Sequence, residues 1–250
     1  MSKNSNTHNK FGNIFNRLWR GIFDKKAESK TNVYFISGMC YNCTVFDQLK
    51  LPKGFNKIYI EWIIPEAGET LKGYTRKMAS SIDTSTPFIL VGYSFGGIIV
   101  QEMNEFLNPL KTIIISSFKK AEETPTMFRT VRRANLWERL PERLYNSTEF
   151  ITEIFNRFIY NVPSNELIDY MTVTDPAYVK WAVSQITEWR PSSIIPRLYH
   201  IHGTEDQIFP FEIIHNAFPV EGGDHLMVFK KADVVSLILG SILLINEMAE

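Results

Sequence analysis

Ser94 sits in Gly92-Tyr93-Ser94-Phe95-Gly96, a Gly-x-Ser-x-Gly spacing that can lift a serine hydroxyl out of a tight turn as a nucleophile. A serine hydroxyl is weakly nucleophilic at neutral pH, so it needs a base to take its proton and a carboxylate to orient that base. The chain offers His225, in Gly222-Gly223-Asp224-His225-Leu226, and Asp206, in His202-Gly203-Thr204-Glu205-Asp206. Serine, acid and base then follow in the chain order expected of such an elbow. Together these residue types could perform two-step acyl transfer to water.

Other residues compete for these roles. Glu205 is the rival carboxylate, one residue earlier on the turn. Asp224 adjoins His225, but adjacency sends its side chain in a diverging direction. His200 and His202 are alternative bases. His200 falls inside a strand, and His202, at its end, can line the pocket or brace the Asp206 turn.

The developing oxyanion needs two donors. One expected donor is the Phe95 amide, at the start of the helix after the elbow. The other is expected from Ser37-Gly38-Met39-Cys40-Tyr41, where Gly38 permits close approach and Met39 supplies the amide; Cys40 and Gly38 are alternatives. Tyr41 reads as a pocket wall, a donor to substrate or a packed aromatic. Gly92 and Gly96 leave space where side chains would strike backbone. Cys40-x-x-Cys43 has no second pair or nearby histidine to complete a metal site, so no metal or other cofactor is called for.

These residues need a scaffold. Apolar runs predict strands at 33–36, 57–62, 88–91, 112–115, 198–201 and 217–220. Several are unbroken instead of alternating, which suits a parallel sheet covered on both faces. Helical stretches at about 70–83, 95–107 and 226–248 fit as crossovers. Residues 119–196 hold no convincing central strand, and helical pieces can be picked out at 125–138, 147–160 and 175–188. This insertion would roof the carboxyl ends of the strands as a lid. Its aromatics Phe128, Trp137, Phe155, Phe158 and Tyr160 either face the pocket or form the lid's own core.

Residues 1–9 read as a disordered tail. From 11 to 23, Phe11, Ile14, Phe15, Leu18, Trp19, Ile22 and Phe23 recur at helical spacing. That amphipathic helix can pack on the body, cover the site or lie on a membrane surface. Residues 24–31 read as a charged linker. The expected division is a tail and helix at 1–30, a core at 31–118 with 197–250, and a lid at 119–196.

The whole chain has 250 residues, 44% apolar, with 27 basic and 27 acidic side chains. Charge balance argues against a nucleic-acid partner. Arg129, Arg132 and Arg133 form a local basic cluster that reads as a solvated helix face or an anion contact. The apolar run at 234–245 is too short to span a bilayer. Two cysteines make no disulfide framework, and with no leader apparent the expected location is cytoplasmic.

From about Thr31 onward, the chain resembles the α/β-hydrolase fold superfamily. The likeness rests on the elbow, the order Ser94, Asp206, His225, and a Gly-x-x-Asp-x-x-x-Pro segment at 203–210. It implies an α/β fold with a mostly parallel sheet of about six strands, the family's first hairpin absent, and a helical lid after the strand that follows the elbow. The implied activity is serine-dependent hydrolysis of a small or medium, partly apolar carboxylic ester. Acyl thioester hydrolysis is the alternative, as is a non-catalytic binding protein of the same fold. A serine at the elbow sets the chain apart from family members that use a carboxylate nucleophile.

Overall fold

The computed structural model describes residues 5–24, 26–133, 170–191 and 194–245. Six strands form one sheet: β1 (Lys26–Ile36), β2 (Lys53–Tyr59), β3 (Phe88–Tyr93), β4 (Lys111–Ile115), β5 (Leu198–Gly203) and β6 (Phe218–Val220). Their order is β2-β1-β3-β4-β5-β6, and every neighbouring pair is parallel. The helices are α1 (Ser5–Phe23), α2 (Leu71–Ala79), α3 (Phe95–Met103), α4 (Thr126–Arg133), α5 (Pro176–Glu188), α6 (Met227–Lys230) and α7 (Ala232–Leu244).

Burial on both faces explains the unbroken apolar strands. Tyr34, Ile36, Leu90 and Ile114 face a core closed by α2, α3 and α5. Their alternates Val33, Phe35, Ile89, Val91, Ile113 and Ile115 face a second core with Val235, Leu239 and Ile242 of α7. All six residues of β3 are buried. Strand order reverses direction between β1 and β3. The loops leaving their carboxyl ends therefore part there, opening the crevice where parallel sheets bind ligands.

The helices start on local capping chemistry. Thr70 accepts from the Gly73 amide at the head of α2. Asp175 accepts from the Ala177 and Tyr178 amides, with Pro176 in the first turn of α5. The last helical stretch is not continuous: α6 and α7 are separated at Lys231, whose φ of −126° and ψ of 35° depart from helical values.

Two terminal expectations need correction. Helix α1 begins at Ser5, inside the expected tail. The expected charged linker belongs largely to β1, where Lys26 pairs with Lys53 before a register irregularity leading to Thr31. The pairing of β1 with β3 begins only at Asn32, and backbone pairing with β2 before that point needs no apolar side chains, so composition alone conceals the start of the strand. Helix α1 packs on α7, with Ile22 over Gly240 and the Lys50 ammonium 5.4 Å from the Trp19 ring. Ile14 and Leu18 stay exposed. Among the described residues, no helix is long and apolar enough to cross a membrane.

Extra helices enter between β4 and β5 as a lid-like region. α4 opens it and α5 closes it, packed on each other and, through α5, on α3. The expected helix at 147–160, residues 134–138 of another, and Trp137, Phe155, Phe158 and Tyr160 lie outside the described residues.

Candidate active site

β3 delivers its last residue straight into α3, and Ser94 is the hinge between them. Its backbone sits at φ 52° and ψ −117°, a region costly for any side-chain-bearing residue. Crowding enforces the bend. A Cβ on Gly92 would lie 2.2 Å from the Gly96 carbonyl oxygen, and one on Gly96 would lie 2.2 Å from that of Ile36. The Ser94 amide donates to the Ile115 carbonyl at 2.9 Å, tying the elbow to β4.

His225 Nε2 lies 3.0 Å from Ser94 Oγ, and His225 Nδ1 lies 2.8 Å from Asp206 Oδ2. Asp206 is almost wholly buried. Its other oxygen, Oδ1, accepts from the Ile208 and Phe209 amides at 2.9 Å each. Burial works to raise the Asp206 carboxyl, but the His225 charge and hydrogen bond, aided by His202 and the Phe209 amide, hold it below its ordinary value. The carboxylate is therefore ionised at neutral pH and can hold the His225 tautomer whose Nε2 faces the serine.

The acid and base loops are zipped together. The Glu205 amide donates to the Gly223 carbonyl at 2.8 Å, and the Thr204 amide to that of Val220 at 3.1 Å. A Cβ on Gly203 would lie 2.2 Å from the Gly223 carbonyl oxygen, so this approach requires glycine. The rival carboxylates go elsewhere: Glu205 is exposed, and Asp224 pairs with Lys230 at 2.5 Å. The rival histidines are buried, with His202 Nε2 on the Phe209 carbonyl at 2.8 Å and its Nδ1 on His200 Nε2 at 3.0 Å.

The loop after β1 reaches the serine. A Cβ on Gly38 would lie 3.2 Å from Ser94 Cβ, which sets how closely this backbone approaches. Met39 is partly buried in the next position, and Cys40 takes a positive φ of 69°. Tyr41 is buried, with its ring 6.4 Å from Tyr93, and its carbonyl accepts from Ser37 Oγ at 2.5 Å. Phe95 is the first residue of α3, where helix geometry leaves amides without intrahelical acceptors.

One residue absent from the expected site ties this loop to the elbow. The Trp62 indole donates to Ser37 Oγ at 2.9 Å and to the Gly38 carbonyl at 3.1 Å. Its ring stacks on Phe95 at 5.2 Å and 9°. The sequence signal was a tryptophan closing the expected strand at 57–62, which reads equally as packing; β2 in fact ends at Tyr59 and leaves Trp62 in the loop that follows.

The lid's return segment also touches the loop. The Asn42 amide donates to the Tyr170 carbonyl at 2.8 Å, and the Val173 amide to that of Cys40 at 3.2 Å. Cys40 and Cys43 are free, buried thiols, each pushed up to about 12 chiefly by burial, and neither is poised as a thiolate. Among the described residues, no cluster of three potential metal ligands occurs.

An assembled serine, histidine and carboxylate on a strained elbow supports serine-hydrolase activity. Comparison of the sequence with family models and with curated proteins finds no match. Solved structures do match. A thermophilic esterase from Thermogutta terrifontis superposes with a TM-score of 0.66 at 16% identity, covering 88% of this chain and 91% of its own. A lipase-esterase related protein from Clostridium acetobutylicum gives 0.61 at 18% identity, covering 86% and 95%. An alpha/beta hydrolase fold protein from Burkholderia ambifaria gives 0.61 at 13% identity, covering 86% and 91%. At such identities the likeness is one of fold. Sheet order, elbow and superposition agree: this chain has the α/β-hydrolase fold.

Proposed function

We propose that this protein hydrolyses a carboxylic ester of small or medium, partly apolar character through an acyl-Ser94 intermediate. The unbroken file from Ser94 Oγ through His225 to Asp206, at 3.0 and 2.8 Å, carries this reading. Ser94 attacks the ester carbonyl while His225 Nε2 takes its proton. Asp206 stabilises the imidazolium that forms. His225 then protonates the departing alcohol, removes a proton from water, and the acyl group leaves as a carboxylate.

We assign the oxyanion to the amides of Phe95 and Met39. Support comes from the place of Phe95 in the first turn of α3 and from the closeness of the Gly38 backbone to Ser94. Gly38 and Tyr41 border the reacting carbonyl in this reading, and His202 stands behind the acid turn. Residues 119–196 serve as the lid over the core formed by 31–118 and 197–250. Trp62, Phe95, Tyr178 and Trp181 pack on one another and, through Trp62, brace the loop after β1 that carries Gly38. Two buried free thiols suit a reducing compartment such as the cytoplasm.

The test is a panel of p-nitrophenyl esters of increasing acyl length beside matched acyl thioesters. Ester turnover that disappears in Ser94→Ala supports the reading. Preference for thioesters at every length would move the assignment to thioester hydrolysis, and inertness to the whole panel would contradict it.

A further inference from the structure

Behind the triad runs a second file of polar groups, from a half-buried lysine to two buried imidazoles, that the reaction itself does not use. Lys119 Nζ lies 3.5 Å from His200 Nδ1. His200 Nε2 lies 3.0 Å from His202 Nδ1, and His202 Nε2 lies 2.8 Å from the Phe209 carbonyl oxygen. Both rings are almost wholly buried. The file ends beside the catalytic acid: His202 Nε2 is 3.6 Å from Asp206 Oδ2.

We infer that His202, fixed as its neutral Nε2–H tautomer by His200 and Lys119, is a positioning residue that sets the Asp206 carboxylate for His225. This rests on the proposed reading of the triad.

The direction of the file follows from its two ends. A carbonyl can only accept, so His202 Nε2 carries a proton. An ammonium can only donate, so His200 Nδ1 presents its lone pair. The middle contact must then run from His200 Nε2–H to His202 Nδ1. Lys119 has three protons and three acceptors, the others being the carbonyls of His215 at 2.5 Å and Asn216 at 3.0 Å. Its place is therefore fixed.

Two consequences reach the reaction. First, the Phe209 carbonyl is held by His202 while the Phe209 amide holds Asp206 Oδ1, so the imidazole sets the turn that aims the carboxylate. Second, a neutral His202 leaves His225 as the ring that takes up the Asp206 charge. The groups facing these rings are Lys119 and the Ser117 backbone at His200, and Asp206, His225 and Glu123 at His202, with Phe211 stacked 6.2 Å away. Burial is the main cause that lowers both pKa values, and the Lys119 charge adds to it at His200.

Two measurements on the full chain test this. Long-range 15N–1H spectra of the wild type distinguish the tautomers of its 5 histidines, with His200→Gln and His202→Gln supplying the assignments. The expected result at about pH 7 is two neutral rings protonated at Nε2. An imidazolium at either position, or a proton on Nδ1, would overturn the inference. Fluorophosphonate labelling of Ser94 then reads the reactive geometry. His202→Phe should label about tenfold more slowly than wild type, and His202→Gln, which keeps a donor at the Nε2 position, within about threefold of wild type. His202→Phe labelling at the wild-type rate, with the same melting temperature, would also overturn it. A wild type that is not labelled at all would instead refute the ester-hydrolase reading, leaving the spectra to decide the file.

Discussion

The Trp62 indole nitrogen donates to the Gly38 carbonyl at 3.1 Å, and a Cβ on Gly38 would lie 3.2 Å from Ser94 Cβ. One aromatic side chain thus holds the β1 loop while stacking on Phe95, the residue assigned as the other oxyanion donor. Trp62→Phe keeps a ring in the stack but removes the donor. Steady-state kinetics should show kcat down about tenfold, with KM nearly unchanged, because a misplaced oxyanion donor is felt mainly in the transition state. The melting temperature should fall modestly, since a buried hydrogen bond is worth about 1 kcal/mol.

Gly92→Ala should abolish soluble folded protein. Its Cβ would lie 2.2 Å from the Gly96 carbonyl oxygen, within backbone that cannot move without opening the elbow. Recovery of soluble protein, followed by circular dichroism, checks this. A folded and active variant would show that the turn is looser than its geometry.

Stability should fall with acidification in two windows. In the folded chain, His200 and His202 stay neutral below their ordinary value of 6.5, whereas the unfolded chain takes up protons there. The unfolded state binds more protons, so stability declines as pH falls through that value, with a limiting slope of about 1.4 kcal/mol per pH unit per histidine. Asp206, held below its ordinary 3.8, contributes stability that is present above that value and lost as pH falls through its folded value. Urea melts from about pH 8 to pH 4 should show the first decline. A His200→Leu, His202→Phe double variant should flatten it.

Lys111 caps a helix from inside the protein. Its ammonium donates to the Ile242 and Ile245 carbonyls at 2.7 Å each, at the negative end of α7. Lys111→Met should lower stability by about 2 kcal/mol, from lost charged hydrogen bonds and orphaned carbonyls. The same variant should leave kcat and KM unchanged, because α7 lies on the face of the sheet opposite α3. Thermal melts beside an ester assay check both halves.

Much of this architecture was legible in the sequence because two-sided burial writes apolar strands such as Phe88–Tyr93 without interruption. Ser94, Asp206 and His225 were legible because an elbow, a strand end and a loop histidine each carry a local signature. Trp62 was not, because its role depends on a contact with Gly38, 24 residues earlier in the chain. The start of β1 at Lys26 was hidden by charged side chains on a pairing backbone. The zipper between Glu205 and Gly223 was likewise invisible, since amides and carbonyls look alike in every residue.

Removing the triad groups one at a time should show that they act as a unit. Ser94→Ala and His225→Ala should each lower kcat by about 1,000-fold or more, and the double variant should lose little further activity. Independent, additive losses would separate the two residues' roles.

The most direct measurement is intact-protein mass spectrometry during turnover of a slowly deacylating ester. The expected result is a mass increase equal to the acyl group, mapped by peptide analysis to Ser94 and absent from Ser94→Ala. Ester hydrolysis with no acyl adduct at any time point, or an adduct that persists in Ser94→Ala, would contradict a covalent mechanism at this elbow.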